Sequence, residues 1–479
     1  MRILEILLAL SSFVLLFHFK MPRKVALVID FLNIVLLTGH FFLEGYRWQM
    51  FFVYLVSSIL TIYIIFRMRL RIKVGKPLAY SLSFLMLMML ILSTFASIYI
   101  PVFDLPKPDG QHTVGTKTFH LVDQDRDEVL TKDPHDKREL MIQVWYPAHH
   151  TNLQKPKPLF PEDKQIFKKY IEKYASGWQL PEFVFDYWRY IQTNSYENAK
   201  ILSSKKPYPL VLISHGYGTG RMMHTAQAEN LASHGFIVVA IDHTYSTTAT
   251  VFPDGRITGL TTDLDGSPEK SKKLGGIWTK DTEFIISQMK KMNNTVFNGK
   301  IDLNHIGIMG HSFGGATAFN AAYTNPKIKA GINMDGSLYN LDKKHAISKP
   351  FLFIESDDFI KTKKKVEKNS ISDKEIKDSG LTREEFMMMM ETRKKEFHII
   401  DQASLIHIDG TEHFNFTDFQ LFSNILNQLG MTGEIDHKRS AFIVNQYVLD
   451  FFNKHLKGVG GDLISKPNPD YPEVKFPNK

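Results

Sequence analysis

Residues 305 to 324 read His305-Ile306-Gly307-Ile308-Met309, then Gly310-His311-Ser312-Phe313-Gly314, then Gly315-Ala316-Thr317-Ala318-Phe319-Asn320-Ala321-Ala322-Tyr323-Thr324. A short apolar run that reads as a strand, a Gly-x-Ser-x-Gly turn and a small-residue run that reads as a helix stand in immediate succession. In so sharp a strand-to-helix turn the serine is raised at the tip, and the flanking glycines remove side chains that would collide with neighbouring backbone. Ser312 is therefore a candidate nucleophile. The pentapeptide alone also suits a glycine-rich turn, so the reading depends on its surroundings.

Those surroundings alternate strand-like and helix-like runs. Candidate strands are Pro209 to Ser214, Ile237 to Asp242, His305 to Met309, Ala330 to Met334, Phe351 to Glu355 and Leu405 to Asp409. Between them lie helix-compatible stretches, among them Met222 to His234, Asp281 to Met292 and Phe313 to Tyr323. This alternation predicts a mostly parallel sheet covered on both faces, an α/β-hydrolase fold, with ligands beyond the carboxyl ends of the strands.

The reactive side chains fall at such ends. His215-Gly216-Tyr217-Gly218 follows the first strand and can present the Tyr217 N–H to an oxyanion; the Phe313 N–H, next after the serine, is the expected second donor. On this fold the order is serine, acid, histidine, so the base is expected after the last strand, where His413 stands in Gly410-Thr411-Glu412-His413-Phe414. His407 lies within that strand, His398 precedes it, and His437 and His455 fall in or beside the C-terminal helical region. For the acid, Asp335 ends one strand and Asp357 and Asp358 end the next, and strand-end position leaves the choice open.

Residues 1 to 104 differ in kind. They hold four apolar runs, Ile3 to Phe19, Val25 to Leu43, Met50 to Phe66 and Leu78 to Val102, each near or above the roughly 20 residues that cross a bilayer. The basic residues Lys20, Arg23 and Lys24 after the first run, with another apolar run at once, argue for an anchor over a cleaved leader. A second basic group, Arg67, Arg69, Arg71, Lys73 and Lys76, follows the third run. Cytoplasmic placement of both groups leaves the N-terminus, the second loop and residues 105 to 479 outside, which predicts a multi-pass protein of a bacterial cell membrane with an extracytoplasmic catalytic domain. Glu5, Asp30 and His40 lie within apolar runs, where ionisable groups suggest function by default, although Glu5 and His40 stand close enough to run ends to reach an interface.

Charge and composition exclude several classes. The net charge is +8, but residues 1 to 104 carry 10 Lys and Arg against 4 Asp and Glu, which leaves 48 against 46, or +2, for the remainder. The excess is topology signal, and nucleic acid is not an expected partner. The absence of cysteine excludes a disulfide framework, a Cys-ligated metal and a thiol nucleophile. Asp123, Asp125 and Asp127 suggest a calcium loop that fails, because Glu128 and Pro134 occupy the positions that require glycine and glutamate.

Two stretches of 105 to 479 stand apart from the strand–helix alternation. Residues 159 to 200, rich in Phe, Tyr and Trp, suit a cap over the site, a membrane-facing patch or helices packed on the sheet; residues 361 to 397, with Phe386 and Met387 to Met390 among charges, suit either an amphipathic lid or a solvated surface helix.

Pro209 to Gly218, Leu231 to Ala240, Gly310 to Thr317 (G-H-S-F-G-G-A-T), the Asp335 turn and the His413 loop with Asn415, Phe416, Asp418 and Phe419 resemble the platelet-activating factor acetylhydrolase (lipoprotein-associated phospholipase A2) family over most of residues 110 to 457. The resemblance implies Asp335, 23 residues beyond Ser312, as the triad acid, Tyr217 and Phe313 as oxyanion donors, and a calcium-independent serine esterase without metal or organic cofactor, acting on short or oxidised sn-2 acyl groups of phospholipids. The N-terminal anchor and residues 361 to 397 depart from the soluble family members and put the substrate in question more than the chemistry. Esterases of other esters, polyesters or lactones, and a membrane ligand sensor without turnover, are the alternatives.

Overall fold

The computed structural model describes residues 1–70, 75–149, 155–264, 267–342, 344–378 and 380–477, so Arg71 and Lys73 of the second basic group lie outside the described residues. The chain forms two units. One comprises Met1–Phe103, Trp178–Ile191 and Phe422–Ile425; the other comprises Asp104–Gly177, Gln192–Leu421 and Leu426–Lys479.

The first unit is built on α1 (Ile3–Leu15), α2 (Arg23–Leu43), α3 (Phe51–Leu70) and α4 (Lys76–Tyr99). Three stretches, Arg23–Leu43, Trp48–Arg67 and Pro77–Tyr99, are long and apolar enough to cross a membrane. The first apolar run differs from expectation: α1 has 13 residues, and at 1.5 Å per residue it reaches about 20 Å against a hydrocarbon core of about 30 Å. Buried polar groups lace the helices. Arg47 Nη1 donates to both Glu5 oxygens at 2.8 Å, His40 lies between Glu44 and Tyr54, Asn33 Nδ2 donates to Ser11 and Ser12, and Thr61 donates to Asp30. Glu5, Asp30 and His40 thus have partners within the bundle. Arg47 also donates to the Ile100 carbonyl and Arg2 to that of Glu44, which gathers the N-terminus, the α2–α3 turn and the end of α4 at one end.

Trp178–Ile191 belongs to this unit through its own contacts: Trp48 Nε1 donates to the Val184 carbonyl and Tyr190 Oη to that of Tyr46. The aromatic stretch 159 to 200 therefore divides into three pieces. They are α5 (Lys164–Trp178), the 3₁₀ turns Glu182–Tyr190, and a sheet strand, Gln192–Glu197.

The second unit orders β1 (Thr113–Asp127), β2 (Lys137–Ala148), β3 (Pro156–Pro158), β4 (Gln192–Glu197), β5 (Tyr208–Ser214), β6 (Ile237–Asp242), β7 (Thr250–Val251), β8 (Ile257–Thr258), β9 (Ile301–His311), β10 (Ile328–Met334), β11 (Phe351–Glu355), β12 (Ser404–Ile408) and β13 (Val474–Lys475). Eleven form one sheet in the order β13-β12-β11-β10-β9-β5-β6-β2-β1-β4-β3, while β7 and β8 pair separately. The six strands from β12 to β6 are mutually parallel and contain all six strands expected from the sequence. Both faces are covered, and residues alternate between them along β5. Leu210 and Leu212 pack toward Ile285, Met289 and Phe319 of α7 (Pro268–Thr295) and α8 (Phe313–Thr324), with α6 (Thr225–Ser233) on the other face, where Val211 and Ile213 meet Ala228, Leu231 and, from the C-terminal helix His437–Phe452, Val444. Residues 361 to 397 fall on α9 (Asp357–Glu367), α10 (Asp373–Asp378) and α11 (Arg383–Asp401), which share a small core of Val366, Phe386, Met390 and Phe397 and leave Met387 to Met389 exposed.

Candidate active site

Ser312 sits between β9 and α8 with φ +54° and ψ −125°, a conformation L-residues rarely adopt and which persists only when neighbours hold it. The Ser312 N–H donates to the Met334 carbonyl at 2.9 Å. A Cβ on Gly310 would stand 2.2 Å from the Gly314 carbonyl oxygen, and one on Gly314 would stand 2.2 Å from that of Ser214 and 2.3 Å from that of His215. The two glycines thus let helix and strand close on the serine.

Asp335 caps β10, next to β9, and also has positive φ, +52°. Its turn presses on the elbow: Asn333 brackets Gly336 through both amide atoms at 2.8 Å, and a Cβ on Gly336 would lie 2.1 Å from the Ser312 carbonyl. His413 follows β12 and begins a 3₁₀ turn, His413–Phe416, that Asn415 fastens by accepting from the Glu412 and Gly433 N–H groups. The structure brings these two side chains together, with His413 Nδ1 donating to Asp335 Oδ2 at 2.6 Å and the Ser356 N–H donating to Asp335 Oδ1 at 2.9 Å. Burial works to raise the Asp335 carboxyl, but His413 and Ser356 outweigh it and hold it below the usual carboxylate range. Asp357 is engaged elsewhere, accepting from the Gly410 N–H at 2.5 Å and standing 3.9 Å from His407.

His311 ties the serine turn to the histidine loop. It precedes Ser312, donates from Nε2 to the His413 carbonyl at 2.9 Å, and its ring centroid lies 4.5 Å from that of His413. Burial, reinforced by His413, keeps His311 neutral. His413 itself is 40% exposed, so its outer edge is open to a reactant.

Beside Ser312, the Gly218 N–H donates to the Ser246 carbonyl and the Thr219 N–H to that of Gly216, while the Tyr217 and Phe313 N–H groups take no backbone partner among the described residues of these turns. Under this loop lies a second Ser–His–Asp series that the sequence reading did not identify. Ser214 Oγ lies 2.9 Å from His243 Nε2 and Asp281 Oδ2 lies 2.9 Å from His243 Nδ1, and Arg138 grips Asp281 through two nitrogens at 3.0 and 2.6 Å. All three members are sealed from solvent, so this series braces the loop and is closed to substrate. Trp278 stacks on His243 at 4.0 Å and meets Phe313 edge-on at 4.9 Å, which joins the brace to both loops carrying the candidate oxyanion donors. The only signal for it in the sequence was Asp281 within a predicted helix.

A cavity of about 260 Å³ adjoins Asp335 and His413, walled by Asp358, Phe359, Arg393 and Phe397 from α9 and α11. Glu355, at the end of β11, is fully buried, and burial first, then Asp335 and Glu396, push its carboxyl well above the usual range. Among the described residues, Asp357, His407 and Asp409 have metal-ligand spacing, but Lys475 already pairs with Asp409 and the Gly410 N–H with Asp357.

Residues 99–258 and 279–462 match the family model described as platelet-activating factor acetylhydrolase, isoform II. The platelet-activating factor acetylhydrolase of Cavia porcellus is 23% identical over 381 residues, 74% of this chain and 78% of that protein. A probable 1-alkyl-2-acetylglycerophosphocholine esterase of Arthroderma benhamiae is 24% identical over 410 residues, 81% of this chain and 97% of that protein. Among solved structures, a ferulic acid esterase from Streptomyces cinnamoneus superposes with a TM-score of 0.60 and 25% identity, covering 79% of this chain and all of that one.

Proposed function

Since the chain belongs to the platelet-activating factor acetylhydrolase isoform II family and is a serine ester hydrolase, we propose that Ser312, His413 and Asp335 are its catalytic triad. His413 takes the Ser312 proton as the serine attacks an ester carbonyl; Asp335 fixes the Nδ1–H tautomer and stabilises the imidazolium; the Tyr217 and Phe313 N–H groups receive the oxyanion. His413 then protonates the leaving alcohol, and a water activated by the same ring releases the acyl group. The observation that carries this reading is the 2.6 Å bond from a half-open histidine to a buried carboxylate, beside a serine on a strained turn.

The substrate class proposed is a phospholipid with a short or oxidised sn-2 acyl chain, hydrolysed without calcium. What supports it is the family and the glycerophosphocholine ester named for the fungal relative. The helical unit is proposed to anchor the enzyme in the cell membrane with its hydrolase unit outside; its three apolar stretches of membrane-spanning length support this. The feruloyl esterase neighbour favours a second reading, hydrolysis of non-lipid esters.

A panel comparing short-chain phospholipids with soluble esters, run on wild type and Ser312→Ala, tests both. Loss of all ester hydrolysis in the variant is expected, with phospholipids preferred by wild type; hydrolysis retained in the variant would refute the triad, and preference for soluble esters would favour the second reading. A membrane-impermeant fluorophosphonate should label Ser312 on intact cells, and labelling only after permeabilisation would reverse the orientation.

A further inference from the structure

Within the helical unit, a groove of about 520 Å³ opens at the end of the bundle where Trp48 begins one candidate span and Tyr99 ends another. Trp48, Phe51, Phe52 and Phe183 wall it, with Leu92 and Ala96 beside them. Trp48 and Phe183 meet edge to face at 5.4 Å, so the aromatic wall is fixed by packing. The size is that of a ligand pocket and not of a packing defect.

One polar feature is unexplained by the fold. Gln49 is 2% exposed, and its Oε1 has no hydrogen-bond partner, although it lines the groove. The orientation of its amide is set by Nε2, which donates to the Ile100 carbonyl at 3.5 Å, so the free atom is the acceptor. A buried acceptor left unpaired is costly, and it calls for a donor from a ligand. Among the described lining residues the one charged side chain, Asp186, is also an acceptor, and none is basic. An anionic head such as a fatty-acid carboxylate would meet two acceptors and no cation. A hydroxyl would satisfy Gln49, while an attached hydrocarbon chain fits the aromatic wall, which stands at the ends of two candidate spans, the headgroup level at which Trp and Tyr gather in a bilayer.

We propose that this groove is a binding site for a neutral single-chain amphiphile with a free hydroxyl head, the monoacylglycerol class, with its hydroxyl donating to Gln49 Oε1 and its chain against Trp48, Phe51 and Phe183. The site rests on the membrane reading of the helical unit and is independent of the Ser312 chemistry.

The test uses the full chain in detergent and a long-chain alkylglycerol ether carrying a diazirine in its chain, a probe that ester hydrolysis cannot consume. Photolabelling is expected to concentrate on residues 48–52, 92–96 and 183–186. Gln49→Leu is expected to lower it about tenfold, as for a lost hydrogen bond to a buried acceptor, and Ala96→Phe, which fills the groove without touching Gln49, to abolish it. Soluble-ester hydrolysis by the same preparations reports separately on the Ser312 reading. Labelling spread evenly along the helices, labelling unchanged in both variants, or stronger labelling by a diazirine fatty acid would overturn the proposal.

Discussion

Asp335→Asn is the substitution whose outcome the geometry constrains most tightly. The Ser356 N–H donates to Oδ1 of Asp335, and His413 Nδ1 donates to Oδ2. An asparagine has one acceptor and one donor end, and the fixed Ser356 N–H will select the oxygen, which turns the NH₂ toward His413. The ring must then carry its proton on Nε2, leaving no lone pair to accept the Ser312 proton. Loss of the correct tautomer together with the stabilising carboxylate corresponds to about ten-thousandfold in kcat, or about 5.4 kcal/mol of transition-state stabilisation. Because the side chain is nearly isosteric and buried, the fold should survive. Asp357→Asn is the matched control, since Asp357 serves Gly410 and His407, and it should stay within a fewfold of wild type. The assay is steady-state hydrolysis of a short-chain nitrophenyl ester, with circular dichroism to verify folding. Retention of more than a tenth of wild-type kcat by folded Asp335→Asn, or an equal loss in Asp357→Asn, would refute the reasoning.

Gly314→Ala places a methyl group about 2.2 Å from backbone that cannot retreat, so a destabilisation of about 3 kcal/mol or more is expected in thermal unfolding, and a variant with wild-type Tm and activity would contradict the packing argument. Glu229 is buried, and burial lifts it to about 7 against its hydrogen bonds from Asn194 and Ser195. Because the folded state holds this proton more tightly than the unfolded state, its contribution to stability is present below about 4.5, declines as pH rises toward about 7 and is level above. The stability difference between Glu229→Gln and wild type should therefore shift in favour of the variant by on the order of 3 kcal/mol between pH 4.5 and pH 8; a difference independent of pH would count against it. In the helical unit, Arg47→Met strands the buried Glu5 with Arg2 alone and is expected to cost about 3–5 kcal/mol in detergent, with Glu5→Gln added in the same chain recovering most of it, whereas no recovery would deny the pairing.

The legible parts of the sequence were those fixed by local chemistry. The six parallel strands were visible because each is a short apolar run bounded by turn residues, and the elbow because its glycines cannot be replaced where helix and strand close on Ser312. The first apolar run was overextended, since hydropathy continues past Leu15 where the helix ends in a turn and a 3₁₀ segment. The aromatic stretch 159 to 200 left cap, membrane-facing patch and sheet-packed helices open because its composition is uniform, and the hydrogen bonds of Trp48 and Tyr190 assign its middle to the helical unit.

The sheet, the sharp serine turn, the strand-end placement of the reactive residues and the separate apolar N-terminal unit are written in local order along the chain, because periodicity, turn chemistry and charge are properties of neighbours. It took the folded chain to bring Asp335 and not Asp357 to His413, to set Asp281 and His243 as a brace for the loop beneath Tyr217, and to leave Gln49 Oε1 unpaired at a groove. Adjacent parallel strands bring their ends to the same edge of the sheet, so several carboxylates arrive there together. Which one faces the histidine depends on N–H groups and carbonyls contributed by residues far away in sequence, such as Ser356 and Gly410.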